Sequence, residues 1–186
     1  MNAPLTSSVD ELTVNAALGL LFLIALPLVC VARFWTSTSP SDPLLRYGRD
    51  ARRAAIEDLL GRLGRLLLSS LVAPCVLLFV LYRGERALWT DLALSLPIAF
   101  CGAFALFGYF AAASAWAGRW GLLIALAVAW MTLPGRDGLS QWGPLAPINQ
   151  LLGLTPEVTR SPMVAYAVLI ATGALGFAAA VARMRR

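Results

Sequence analysis

Residues 92–118 read LALSLPIAFCGAFALFGYFAAASAWAG, Arg119 follows, and residues 120–135 read WGLLIALAVAWMTLPG; this stretch decides the fold. One charge interrupts 44 residues that are otherwise uncharged and mostly apolar. A helix of about 20 such residues crosses a hydrocarbon core of about 30 Å. We therefore predict two membrane spans here, over about residues 92–116 and 119–134, joined by a tight turn around Arg119.

Three further apolar runs have the length of a span, and they lie at about residues 12–33, 66–82 and 162–183. The whole chain is 59% hydrophobic and 13% charged, a balance that a soluble domain of 186 residues would not tolerate. We expect a single transmembrane domain over residues 1–186. Its predicted fold class is all-α, a polytopic integral membrane protein with five transmembrane helices.

The basic residues set an orientation. All fifteen are Arg, and eleven fall on the cytoplasmic side if the N-terminus lies outside, against four on the outer side. We predict that the N-terminus is outside and the C-terminus is cytoplasmic, in a bacterial cytoplasmic (inner) membrane. Because the Arg residues border the spans instead of forming one patch, they indicate lipid contact and no nucleic-acid partner.

A cytoplasmic amphipathic segment is predicted over residues 50–65, between the first two spans. Its apolar side chains recur at helical spacing, and we single out Ile56, Leu59, Leu60 and Leu63. Two interpretations stay open for this face. It lies on anionic lipid as a juxtamembrane helix, or it docks a cytoplasmic protein.

An outer interfacial segment is predicted over residues 139–156. Pro144, Pro147 and Gly153 interrupt it too closely for a span, yet residues 145–154 are too apolar for a solvated loop. A re-entrant or interfacial element on the outer face fits both properties.

Little in the sequence indicates catalysis. The chain has no His, no P-loop and no nucleophile motif, and no acidic residue lies inside a predicted span. Polar residues within the spans, such as Asn15 and Ser95, are interpreted as helix-packing or backbone-capping groups. We predict that the chain is not an enzyme and has no cofactor and no metal site.

Three segments together resemble the membrane subunit of ABC-2-type transporters, in particular the gliding-motility and nitrous-oxide-reductase-associated permeases. They are the apolar run at residues 20–29 with the exit Arg33-Phe34, the hairpin at residues 106–130, and residues 146–186 with their basic end. They resemble the family's second span, its fourth and fifth spans, and its outer re-entrant segment with the final span and tail. The family's first span has no counterpart in this sequence.

The resemblance implies a permease-like subunit that moves a substrate across or out of the membrane. It implies two protein partners, a cytoplasmic nucleotide-binding ATPase subunit and a second permease subunit. The ATPase would dock at Ile56, Leu59, Leu60 and Leu63. The outer element would close the translocation path, with Ile148, Leu151 and Leu152 as candidate gate residues.

One feature of the family is replaced in this chain. An acidic-Gly-Thr signature usually follows the family's second span, and residues 36–43 read TSTSPSDP at that position. Two alternatives therefore stay open. The chain is a non-transporting accessory or structural subunit of a larger membrane complex, or a substrate-capture component of a vitamin-type importer.

Overall fold

All regular secondary structure in the described part of the chain is helical. A computed structural model describes residues 11–35, 51–82, 87–131, 143–154 and 161–183, and these contain no strand. The helices are α1 (Glu11–Gly19), α2 (Leu26–Trp35), α3 (Ala51–Tyr82), α4 (Ala87–Met131), α5 (Ala146–Leu151) and α6 (Pro162–Arg183), with a π-helical segment at Leu20–Ala25. The predicted all-α class is confirmed for these residues.

Within the described residues, four helices are long and apolar enough to cross a membrane: Thr13–Trp35, Ile56–Tyr82, Leu88–Met131 and Pro162–Arg183. Large apolar side chains are exposed on each of them. On α3 the exposed residues recur at helical spacing, at Leu68, Val72, Val76, Phe79 and Val80. Such a surface suits lipid and is costly in water. The chain thus has the helix lengths and the surface of a multi-pass membrane protein.

The first of these helices changes its hydrogen-bond register before a proline. Pro27 has no N–H and its ring crowds the carbonyl four residues earlier, which disturbs a regular α-helix. The π-helical segment Leu20–Ala25 ends just before it, and the N–H of Leu26 bonds to the carbonyl of Leu21, five residues back. The wider π turn lets α1 and α2 run on as one continuous helical rod.

Helix α3 is a single helix of 32 residues. The sequence analysis divided this region into an amphipathic segment, 50–65, and a span, 66–82. The structure shows one helix across that boundary, because Leu66, Leu67 and Leu68 continue the helical pattern without a breaker. Pro74 lies inside α3, and the hydroxyls of Ser69 and Ser70 donate to carbonyls one turn back, at 2.9 and 2.8 Å.

Helix α4 reverses direction at Gly118, which lies beside the turn predicted around Arg119. Gly118 has φ 58° and ψ −137°, a conformation that residues with a Cβ rarely adopt. The Tyr109 hydroxyl donates to the carbonyl of Ala125 at 3.2 Å, whereas a straight helix would separate these residues by about 24 Å. Residues 87–117 and 119–131 are therefore two antiparallel arms, which we call the first and second arms of α4.

Glycines bring α4 and α6 into backbone contact. A Cβ added at Gly108 would lie 2.8 Å from the Cα of Gly173, and one added at Gly176 would lie 2.9 Å from the Cα of Gly108. Only Gly permits such an approach, as in other helix pairs packed through small residues. This contact fixes α6 against the first arm of α4 and forms the centre of the bundle.

The bundle has two different ends. At one end, the Arg119 guanidinium lies 5.4 Å from the Trp35 ring centre, and that of Arg183 lies 5.6 Å from Trp116. We call this the arginine end. At the other end, the Tyr82 hydroxyl donates to Asp91 and so joins the end of α3 to the start of α4. We call this the cavity end, for the reason given next.

Candidate functional site

A cavity of about 280 Å³ lies at the cavity end, between α1, the first arm of α4 and α5. Three of its lining residues are polar: Asn15, Asp91 and Ser95. The remainder of the wall is apolar or glycine: Val14, Leu18, Leu94, Ile98, Leu151, Leu152 and Gly153. An apolar cavity with a few polar groups is the usual form of a small-molecule site.

Helical periodicity explains why these residues meet. Residues 14, 15 and 18 form one face of α1, and residues 91, 94, 95 and 98 form one face of α4, both at i, i+3, i+4 spacing. Because each face mixes apolar and polar side chains, the two helices cannot close on each other as tightly as α4 and α6 do at their glycines.

Asp91 is the charged group of the cavity. It lies in the second turn of α4, is half-buried, and accepts a hydrogen bond from the Tyr82 hydroxyl. The N-terminal end of α4 carries a partial positive charge that favours a carboxylate there. The sequence analysis placed Asp91 in the loop before the third span, and the structure extends α4 back to Ala87 and includes it.

Ser95 contributes oxygen lone pairs and no proton. Its side chain is buried, and its hydroxyl donates to the carbonyl of Leu92 at 3.2 Å. A hydroxyl has a single proton, so Ser95 can only accept from anything bound in the cavity. The same bond satisfies the predicted capping role of Ser95, which therefore does not conflict with a place in the cavity wall.

Helix α5 covers the cavity. Its chain reversal is a Schellman motif, in which Gly153 at φ 65° donates to Gln150 and Leu154 donates to Asn149, at 3.1 and 3.0 Å. Leu151, Leu152 and Gly153 line the cavity from this side. The helix thus presents a fixed apolar lid to the polar groups of α1 and α4.

The three predicted gate residues divide into two roles. Leu151 and Leu152 line the cavity, whereas Ile148 does not and is fully buried. Ile148 packs on Gly102, where an added Cβ would lie 3.1 Å from its Cδ1 atom. Gly102 is midway along the first arm of α4, about 22 Å from Ala87, so α5 enters deeply between the helices.

The predicted docking face is split by the structure. Leu59 is buried in the apolar core and Leu63 is half-buried against it, whereas Leu60 is half exposed and Ile56 is intermediate. The charged residues around them form two exposed or partly exposed ion pairs, Arg53–Glu57 and Arg62–Asp58. Ile56 and Leu60 are the members of the set that another protein could contact.

From the sequence, Asn15, Asp91 and Ser95 were not predicted to form a site. Asn15 lies 76 positions from Asp91 and 80 from Ser95, and Asp91 and Ser95 share only a helical repeat. A signal was present, however: Asp91 and Ser95 are four residues apart at the start of an apolar run. Among the described residues, no three His, Cys, Asp or Glu side chains come close enough to hold a metal ion.

Comparison with known proteins adds no relationship: no family model, no curated protein and no solved structure matches this chain.

Proposed function

We propose that this chain is the membrane-spanning, permease-like subunit of an ATP-binding-cassette transporter, with ATP hydrolysis on a separate subunit. The observation that carries the proposal is the partly polar cavity beneath α5, in a bundle whose described helices expose many large apolar side chains. An assembly subunit has no need of such a cavity, whereas a translocation path must begin or end in one. A second permease subunit would complete the path.

The proposed topology has five crossings. The first arm of α4 is about 46 Å long, which exceeds the hydrocarbon core, and the second arm returns from Gly118 toward the cavity end. With α1–α2, α3 and α6, the two arms would make the five proposed passes, which would put the termini on opposite sides of the membrane. Every Arg whose side chain is described belongs to the arginine end or to the first half of α3. The positive-inside rule then makes the arginine end cytoplasmic, in a bacterial inner membrane.

Helix α3 supplies the proposed connection between the ATPase and the cavity. From Ile56, which is partly exposed, and Leu60, which is exposed, α3 runs unbroken to Tyr82, whose hydroxyl bonds to Asp91. The distance from Ile56 to Tyr82 along the helix is about 39 Å. A partner that tilts the cytoplasmic end of α3 would therefore shift Tyr82 at the other end. Alternating access would follow if that shift moves α4 away from α5.

The test is ATP hydrolysis by the complex isolated from its native membrane in mild detergent. We expect a P-loop ATPase to co-purify with the wild-type chain. Replacing Ile56 and Leu60 by Asp should release it. The control is Gly61→Asp, which adds one negative charge, as each of the two substitutions does, at an exposed site about 100° around the helix from Leu60.

The same complex tests the gate. In a chain whose native Cys30, Cys75 and Cys101 are replaced by Ala, the pair Gly102→Cys and Ile148→Cys should cross-link on oxidation and hold α5 against α4. We expect hydrolysis to fall on oxidation and recover on reduction, with Ile148→Cys alone unaffected by oxidation. A wild-type chain that isolates without any P-loop ATPase would instead support the accessory-subunit alternative.

A further inference from the structure

The cavity has a chemical preference that follows from its three polar groups. An ionised Asp91 can only accept hydrogen bonds, and the single proton of Ser95 is already given to the Leu92 carbonyl. Asn15 offers an amide oxygen in addition to its two N–H donors. The cavity therefore offers more acceptors than donors, and it suits a ligand that donates.

Charge strengthens this preference. In the described part of the chain, the Asp91 carboxylate has a neutral partner, the Tyr82 hydroxyl, and no ion pair. The described Arg side chains belong to the opposite end of the bundle or to the first half of α3, and Arg83 and Arg86 lie outside the described residues. A carboxylate attracts a positively charged ligand and repels a negatively charged one. The positive ends of α1 and α4 favour an anion here, and Asp91 already occupies that role.

The rest of the wall limits the ligand's size and polarity. Six aliphatic side chains from three helices surround the polar groups, and the volume of about 280 Å³ is near the lower limit for small-molecule pockets. A hydrated metal ion would leave these aliphatic groups without contacts. A small organic ion with an apolar body would cover them.

We propose that this cavity binds a small primary ammonium ion with an apolar body. The ammonium group donates to Asp91 and to Ser95, and the body lies against Leu94, Ile98 and Leu152. The inference rests on the proposed function in one respect: such amines would be the class of substrate that is transported. Binding itself requires neither ATP nor a partner.

The test is calorimetric titration of the purified full chain in detergent, with protein-free micelles as the blank. Three probes of similar size differ in charge: 2-phenylethylamine, which is protonated at neutral pH, 2-phenylethanol, which is neutral, and phenylacetate, which is an anion. We expect the amine to bind at least about tenfold more tightly than the alcohol, or about 1.4 kcal/mol, and the anion to bind weakest. Equal binding of amine and alcohol, or tighter binding of phenylacetate, would overturn the proposal.

Variants assign the preference to the cavity. Asp91→Asn keeps the shape and should abolish the preference for the amine, whereas Glu57→Gln, at the arginine end, should leave it unchanged. Leu94→Lys places an ammonium group at an exposed position of the cavity wall. It should exclude the amine and admit phenylacetate, and it remains informative if Asp91→Asn does not fold. An amine preference that survives both variants would contradict the assignment to this cavity.

Binding and transport can fail separately. If the amine binds as expected and no ATPase co-purifies, the cavity assignment stands and the transporter proposal fails. If the complex hydrolyses ATP and responds to the α5 cross-link, but the chain shows no amine preference, the transporter proposal stands and the ligand class is wrong.

Discussion

The two ends of this bundle are built from the same apolar helices but are closed in different ways. At the arginine end, two guanidinium groups lie over Trp rings, and the α4 hairpin closes at Gly118 with no intervening loop. At the cavity end, a short inserted helix, α5, fills the space between α1 and α4 only partly. The two arms of the hairpin close tightly because Gly121 meets the backbone of Ala113. A cavity remains at the other end, where polar and large aliphatic side chains of α1 and α4 face each other.

The largest expected effect tests which end faces the cytoplasm. Trp89, near the cavity end, and Trp120, at the arginine end, are similarly exposed, at 69% and 75%. In the chain without native cysteines, Trp89→Cys should react with a membrane-impermeant maleimide added to intact cells. Trp120→Cys should react only after permeabilisation, because the positive-inside rule places the arginine end in the cytoplasm.

If Trp120→Cys were labelled in intact cells and Trp89→Cys were protected, the arginine end would face outside and the cavity end would face the cytoplasm. That orientation would place the docking side chains Ile56 and Leu60 outside the cell, where no ATPase acts, and would remove the transporter proposal. Equal labelling of both variants would mean that the chain inserts in two orientations.

The second effect tests the close contact at the centre of the bundle. Gly108→Ala would place a methyl group against the backbone of Gly173, and it should lower the stability by about 1–3 kcal/mol. The same substitution at Gly61, which is exposed and has nothing within 4 Å of an added Cβ, should raise it by about 1 kcal/mol. Thermal unfolding in detergent measures both variants, and changes of the same sign would contradict the α4–α6 contact described here.

Much of the fold could be predicted from the sequence, because membrane helices can be recognised as long uncharged runs. The all-α class and the position of the α4 turn, beside Arg119, both came from charge spacing. The continuity of α3 was not predicted from the sequence. Gly61 and Gly64 lower the helix propensity of this region, yet no proline separates the amphipathic segment from the span, so the helix continues.

The candidate site was harder to predict. The apolar run at residues 145–154 indicated an inserted element, and α5 packs as one. However, its position against Gly102 depends on contacts between residues 46 positions apart, which a sequence pattern does not record. Periodicity on residues 56–63 placed Leu59 and Leu60 on one face, whereas packing buries the first and exposes the second. Which of two adjacent side chains on a helix is buried depends on where the neighbouring helix packs.

The smallest expected effect concerns the aromatic contacts at the arginine end. Arg119 over Trp35 joins the α4 turn to the end of α2, and Arg183 over Trp116 joins the end of α6 to the first arm of α4. A cation–π contact contributes about 0.5–1 kcal/mol at an exposed site. Arg119 and Trp35 also take part in other interactions, so single substitutions would report more than this contact. A double-mutant cycle with Arg119→Gln and Trp35→Leu isolates the coupling, which we expect to be about 0.5–1 kcal/mol by thermal unfolding.

Crossing Arg119→Gln with Trp116→Leu provides the matched control, because that ring pairs with Arg183, and its coupling should be close to zero. If the Arg119–Trp35 cycle also gives zero, the contact between this guanidinium and this ring contributes nothing to stability, and other interactions of Arg119 hold the α4 turn.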